Sequence, residues 1–445
     1  MFDIFFNTGP SMSTLADLEK FRVDIHKCFR CNLCKMVPLP LIRDTRFVSA
    51  CPISSHYGFH AYSGSGLQFL AHSLIDGRME PSAELAEVAY ACRDCGYCDV
   101  ACKSIMDAER TQVIQTLREY LTAQGLAPQA HQQALHNLRV HGHAEGPAAT
   151  ALLDWARAHD IKVLPEQRAR YLLYAGSELT ADASYFHVVT RLARLLQAAG
   201  IDFGILAQEP CSGIQAYWIA SREDVLTAAR TTAGLIKAAG VTAIVTASGT
   251  SLGMLRAKYH DYGIDLGPVQ ILHASELLAE LLHSGKLQLQ RPQHVTATYH
   301  DPCFLGRQSE RTETWSGEIR TALGQLRYEE PPKQIRYGTR GVYDAPREIL
   351  RAIPGLTFVE MPRIREYALC CGYGGGGLST YAAMADATGT ERVREARSVG
   401  ADLMVTACGF CEMHLRGTQQ RHDSGETGLQ VTDLIDLVFE SAAIG

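Results

Sequence analysis

No apolar run in this 445-residue chain approaches the roughly 20 residues that a membrane-spanning helix needs, so any membrane contact is expected through a partner. No block of like charge and no low-complexity tract interrupts it. Lysine and arginine (42) fall short of aspartate and glutamate (48), a net charge of −6, which excludes the basic face that nucleic-acid binding requires. The opening Met1-Phe2-Asp3-Ile4-Phe5-Phe6 lacks a basic segment and a long apolar core, so no secretory leader is expected. No strand–Gly-x-Gly-x-x-Gly–helix pattern is present, and flavin or nicotinamide is expected on other polypeptides. The seventeen histidines show no spacing that argues for haem or zinc.

What the chain does have is cysteine. Thirteen of its fourteen cysteines fall into three groups. The first is Cys28-Phe29-Arg30-Cys31-Asn32-Leu33-Cys34, followed by Cys51-Pro52. The second is Cys92-Arg93-Asp94-Cys95-Gly96-Tyr97-Cys98, followed by Cys102. The third is Cys303, Cys370-Cys371-Gly372 and Cys408-Gly409-Phe410-Cys411. A C-x-x-C-x-x-C run presents three thiolates from one tight loop, as a 4Fe–4S cubane requires, and in two-cluster ferredoxins the fourth cysteine of each run ligates the other cluster. The expected ligand sets are therefore Cys28, Cys31, Cys34 and Cys102 for one cluster, and Cys92, Cys95, Cys98 and Cys51 for the other. Sixteen residues separate Cys34 from Cys51, so Lys35–Ala50 must loop out and return. Zinc knuckles have no use for the third cysteine of each run. A disulfide framework belongs to short secreted chains, and thiols reserved for metal imply the cytoplasm.

Periodicity divides the rest. Helical patterns at Ser65–Gly77, Pro81–Ala91 and Thr111–Gln124 surround the motifs, which predicts a helical two-cluster ferredoxin domain over 1–135. A polar, Ala- and His-rich stretch over 136–166 reads as a helical connector. From Tyr171 short apolar runs alternate with amphipathic stretches, the signature of βαβ units. Strands are expected at Tyr171–Tyr174, Phe203–Leu206, Ala243–Thr246, Val295–Tyr299, Thr357–Glu360 and Leu403–Thr406. Helices are expected at Phe186–Ala199, Arg222–Ala239, Ala274–Ser284, Arg347–Ala352, Ala382–Val399 and Thr432–Ser441. The fold class is thus α/β, with parallel strands after the helical unit.

This α/β region repeats itself. Val245-Thr246-Ala247-Ser248-Gly249 matches Val405-Thr406-Ala407-Cys408-Gly409, and Pro210-Cys211-Ser212-Gly213 matches Leu369-Cys370-Cys371-Gly372, at offsets of 160 and 159 residues. Ile271–Leu282 matches Val431–Phe439 helix for helix. The two halves are expected at 167–292 and 293–445, with an insertion at Gln308–Arg340 that is either a solvated loop or a docking surface. In the first half Ser177, Ser212, Ser248 and Ser251 stand where the second has Cys303, Cys371, Cys408 and Cys411, leaving Cys211 as an inert remnant. Serine is a poor iron ligand, so the first half is expected to scaffold and the second to work.

His300-Asp301-Pro302-Cys303, Cys370-Cys371-Gly372-Tyr373-Gly374-Gly375-Gly376-Gly377 and Cys408-Gly409-Phe410-Cys411 resemble the cysteine-rich (CCG) domain of the heterodisulfide reductase family. With the ferredoxin motifs on the same chain, the arrangement is similar to the D-type subunit. The resemblance implies a third 4Fe–4S cluster, possibly non-cubane, held by Cys303, Cys370, Cys371, Cys408 and Cys411. The glycine run then permits close backbone approach to the cluster or substrate. His300, Cys303, Cys370 and Cys371 are the catalytic candidates, with His300 the proton source; Asp301 is expected to orient, and His414 to lie behind the ligands. The implied role is an electron-transfer subunit of a redox complex, linking a flavoprotein, iron–sulfur or cytochrome b partner to the CCG cluster, in the cytoplasm or peripheral to a membrane. Two alternatives stay open: direct reduction of a disulfide or trisulfide at that cluster, and service to a glycolate, lactate or glycerol-3-phosphate dehydrogenase.

Overall fold

The computed structural model describes residues 13–144, 146, 152–313, 315–376, 380–422, 428–442 and 444; the opening hexapeptide and Gly377 lie outside them. Short apolar stretches become parallel strands wherever both faces are covered by helices, which makes a fully apolar strand stable. Five such strands form the first sheet: β1 (Lys162–Leu164), β2 (Tyr171–Tyr174), β3 (Phe203–Leu206), β4 (Ala243–Thr246) and β5 (Gln270–His273), in the order β1-β3-β2-β4-β5. The second sheet holds β6 (Thr296–Tyr299), β9 (Thr357–Phe358), β10 (Leu403–Thr406) and β11 (Gln430–Asp433), in the order β11-β10-β6-β9. Between them in sequence lies an antiparallel hairpin, β7 (Glu318–Ala322) and β8 (Leu326–Glu330).

With β1 set aside, the two orders are the same: β3-β2-β4-β5 and β9-β6-β10-β11. The repeated sequence is a repeated fold. Paired arginines mark the register, since Arg256 donates to the Ile271 carbonyl and Arg416 to that of Val431. The sheets share apolar cores: Leu173, Val245 and Leu252 of the first half pack in one cluster with Tyr299, Val405 and Leu434 of the second.

The expected strands and helices are found, with ends shifted by a few residues. Two expectations need correction. The 136–166 stretch does carry a helix, Leu152–Ala158, but closes with β1, which pairs in parallel with β3; a three-residue edge strand is too short to show a period of two. The Ile271 and Val431 segments each open with a strand, β5 and β11, before their helices Ala274–His283 and Leu434–Ala442. Helical periodicity there masked a four-residue strand at the edge of each sheet.

Helices Gly64–Ile75, Ala83–Ala91, Tyr97–Met106 and Arg110–Ala123 build the first unit, around a core of Leu18, Leu67, Tyr90, Val113 and Leu117. Ala220 and Met384, one from each α/β half, complete that core, so the helical unit sits on both halves. Among the described residues no helix is long and apolar enough to cross a membrane.

Candidate iron–sulfur sites

In the two C-x-x-C-x-x-C loops the same positions take left-handed backbone: Arg30 (φ 61°) and Asn32 (φ 66°) in the first, Asp94 (φ 49°) and Gly96 (φ 75°) in the second. Alternating right- and left-handed residues turn successive N–H groups toward one side, a nest suited to an anionic cluster. Cys28, Cys31, Cys34 and Cys102 line one cavity of about 390 Å³. Cys51, Cys92, Cys95 and Cys98 line a second, of about 410 Å³, and Cys34 reaches its wall as well. Four thiols around each cavity are the donor set a 4Fe–4S cluster takes. Arg110 Nε donates to Cys102 Sγ at 3.1 Å, a cation placed to stabilise thiolate. Lys35–Ala50 does loop out, pinned at its base by the Met36–Ser49 bridge. Gly64 lies where a Cβ would stand 2.7 Å from Cys98 Cβ and 3.5 Å from Cys34 Cβ, so only glycine lets that helix start between the two sites.

The third site follows from the sheet. Loops at the carboxyl ends of parallel strands converge on one face. β6 leads into His300 and Cys303, and β10 into Cys408. Cys408 precedes the Gly409–Arg421 helix, whose N-terminus carries Cys411. Thiol contacts join all five cysteines: Cys303 to Cys370, Cys370 to Cys371, Cys371 to Cys411, and Cys411 to Cys408. Hydrogen bonds from Cys370 and Cys411, with His300 behind them, hold the Cys371 thiol well below its ordinary range. A ring nitrogen of His300 and the sulfurs of Cys371 and Cys411 lie within 4.8 Å of one another, and all three residues are buried. Five converging sulfurs, one of them thiolate-prone, fit an iron–sulfur cluster.

His300 is set by its neighbours. Arg392 Nε donates to its Nδ1 at 3.0 Å, so the neutral ring carries its proton on Nε2, which has no other hydrogen-bond partner among the described residues. Burial pulls its pKa down and keeps the ring neutral. Asp301 orients, as expected: it receives both terminal nitrogens of Arg347, at 2.7 and 2.9 Å, and the Arg365 N–H. His414 packs Nε2 against the Ala385 carbonyl at 2.9 Å. Its ring sits 3.1 Å from where a Gly372 Cβ would be, so it shapes the Cys371–Gly372 turn.

The glycine run has a different partner from the one its composition suggested. A Cβ at Gly375 (φ 71°) would strike the Cys92 carbonyl and lie 2.9 Å from Arg93 Cα; one at Gly376 would lie 2.8 Å from His131. The glycines let the third site dock against the second ferredoxin loop. Residues that sequence reasoning missed seal this junction. Arg307 donates to the carbonyls of Cys95 (2.5 Å) and Ala368 (2.8 Å), Gln308 to that of Asp94 (2.6 Å), and Arg118 to those of Trp218 and Gly375. Their signal was thin: arginines beside cysteine motifs in an acidic chain. Gln308, expected as the start of a loop insertion, is 3% exposed. It is the β7–β8 hairpin within that insertion that stands in solvent. The Cys95 and Cys370 thiols touch across the junction.

In the first half the equivalent positions are buried and filled. Ser177 Oγ donates to Cys211 Sγ at 3.4 Å, Ser248 caps the helix that begins at Gly249, and Ser248 and Thr250 both donate to Glu178. Burial raises the Cys211 thiol, which makes it inert.

Comparison with known proteins agrees with this arrangement. A 4Fe-4S dicluster domain matches residues 24–105, and a cysteine-rich domain matches twice, at 174–256 and 333–416. The chain is 28% identical over 371 residues to the D-type subunit of the dihydromethanophenazine:CoB–CoM heterodisulfide reductase of Methanosarcina barkeri, covering 81% of this chain and 80% of that one. It is 26% identical to the probable iron-sulfur-binding oxidoreductase FadF of Bacillus subtilis (95% and 61%) and 27% identical to the EtfAB:quinone oxidoreductase of Syntrophomonas wolfei (73% and 43%). Paired ferredoxin loops, a duplicated cysteine-rich fold and this similarity along most of its length make the chain a member of the D-type family of heterodisulfide reductase iron–sulfur proteins.

Proposed function

We propose that this iron–sulfur protein relays electrons along three clusters in series. The observation that carries the reading is the contact between the Cys95 and Cys370 thiols. It joins the second ferredoxin site to the cysteine-rich site, as Cys34, lining both ferredoxin cavities, joins the first to the second. Cys28, Cys31, Cys34 and Cys102 hold the first cluster; Cys51, Cys92, Cys95 and Cys98 the second; Cys303, Cys370, Cys371, Cys408 and Cys411 the third. The clusters supply one-electron steps at potentials set by charge and hydrogen bonds around the sulfurs. The protein's own part is to space them, exclude water and hold the His300 N–H beside Cys371.

The first site is the outer end of the series. Cys31 is exposed, Phe29 is 58% and Ile105 47% exposed, and among the described residues the cavity wall carries Lys27, Arg30 and Arg110 but no carboxylate. A flavin- or haem-bearing partner docking there would exchange electrons with the first cluster and bring the chain to a membrane if the partner is anchored in one.

The test is iron analysis with low-temperature electron paramagnetic resonance (EPR) on anaerobically purified protein, poised oxidised and then dithionite-reduced. Roughly twelve irons and three reducible centres are expected, with a Cys371→Ala variant losing one centre and keeping the ferredoxin pair. About eight irons in the wild type would remove the third cluster from the reading. A third signal that changes on adding a thiol substrate would make that site catalytic instead of a relay.

A further inference from the structure

The half that lost its cluster places a buried cation beside the second ferredoxin site. The helix after Ser248 and Ser251 opens into a π-helical turn at Met254–Lys258; its counterpart Gly409–Arg421 in the other half is an uninterrupted α-helix. Single π turns are rare and concentrate at functional sites. In the register given by Arg256 and Arg416, Lys258 stands where the other half has Thr418. Thr418 is a small side chain inside the fold. Lys258 is an ammonium, 2% exposed, and the helical ferredoxin unit lies in front of it.

Its surroundings are charged and ordered. Lys258 Nζ lies 4.0 Å from Asp261 and 5.3 Å from the centre of the Tyr217 ring. Asp261 is 3.8 Å from Arg336 Nη1, and Arg336 Nη2 is 3.7 Å from Asp99. Asp99 follows ligand Cys98 and accepts the N–H groups of Arg110 (2.6 Å) and Thr111 (2.9 Å). An ion-pair chain thus runs from Lys258 to the residue next to a cluster cysteine. Asp94, inside the Cys92–Cys95 loop, is 1% exposed, and neither of its carboxylate oxygens has a hydrogen-bond partner among the described residues. Lys258 is the cation that acts most strongly on it.

We infer that Lys258, backed by Arg336, is a positioning residue that sets the reduction potential of the second ferredoxin cluster. A reduced cluster carries one more negative charge than an oxidised one, and a fixed buried cation favours the reduced form because little water screens it. The degenerate half has therefore exchanged redox chemistry for electrostatic control of the middle step of the series. The inference rests on the proposed relay, in that it requires a cluster on Cys51, Cys92, Cys95 and Cys98.

The experiment is a potentiometric titration followed by EPR on full-length Lys258→Met, an uncharged side chain of similar length, with signals assigned through Cys31→Ser and Cys92→Ser. The expected result is wild-type iron content, a midpoint for the second cluster moved to more negative potential, and smaller movements of the other two. Arg336→Gln should move the same midpoint in the same direction, and it carries the test together with Lys258→Gln if Lys258→Met does not accumulate. A second-cluster midpoint that stays in place or rises, in variants with full iron, overturns the inference. Wild-type protein without a cluster at the second site would instead overturn the relay it rests on.

Discussion

Arg347, Arg363 and Arg392 are each buried to 1% exposure or less, and each is matched. Arg347 pairs with Asp301 and Glu360, while Arg363 and Arg392 share Glu395, at 2.9 and 2.6 Å. Such pairs add little net stability, but breaking one leaves a charge uncompensated. Arg347→Met is therefore expected to cost about 3–5 kcal/mol, read as a lower urea midpoint with an unchanged slope. Burial would raise the Glu395 carboxyl, but the charges of Arg392 and Arg363 outweigh it and hold the group below its ordinary 4.5. The folded state thus binds that proton less readily than the unfolded one, so this contribution is complete above about pH 4.5 and drains away below it. A urea series from pH 6 to pH 3 should show stability falling only beneath that point, with a shallower fall in Glu395→Gln. His300→Phe removes the ring N–H facing Cys371 and should alter the EPR signal of the cysteine-rich cluster while leaving both ferredoxin signals as they are. The three arginines could be seen in the sequence only as residues; that each has a carboxylate waiting for it could not, because the partners come from other elements.

Parallel strands deliver ligands at their carboxyl ends, and both halves use the same delivery. β6 and β10 lead to cysteine, β2 and β4 to serine. The repeat was legible because the residues after each strand keep their order through the duplication, Ser248-Gly249 beside Cys408-Gly409. The edge strands β1, β5 and β11 were not, since three or four residues carry too little pattern to outvote a neighbouring helix. The β7–β8 hairpin differs from the rest. Ile319, Leu323 and Leu326 are 59%, 97% and 60% exposed, and a two-stranded ribbon in water adds little stability of its own. Replacing 317–331 by a short Gly–Ser linker is expected to leave the urea midpoint within about 0.5 kcal/mol of the wild type and the iron content unchanged.

Across the whole molecule the ferredoxin unit and the two α/β halves are stitched through backbone carbonyls. Arg93, Arg118, Arg307 and Gln308 reach across, and Ala220 and Met384 sit in the helical core. Buried donors of this kind have nowhere to go if the units part, which couples their unfolding. Loss of cluster absorbance and loss of far-ultraviolet circular dichroism should coincide in urea. Arg307→Met, which strips donors from the carbonyls of Cys95 and Ala368, is expected to separate the two, absorbance falling first.

By itself the sequence determined which atoms are available for iron. The thirteen clustered cysteines, their spacing and the repeat are local or periodic properties, and local patterns survive without knowledge of the fold. Tertiary structure alone decided which sites touch. The Cys95–Cys370 contact, the glycine run set against Cys92 and Arg93, and Lys258 turned toward a ferredoxin loop more than 150 positions earlier all join residues distant in the chain. Such contacts depend on how three separately patterned units pack, and close packing has no periodic signature in sequence.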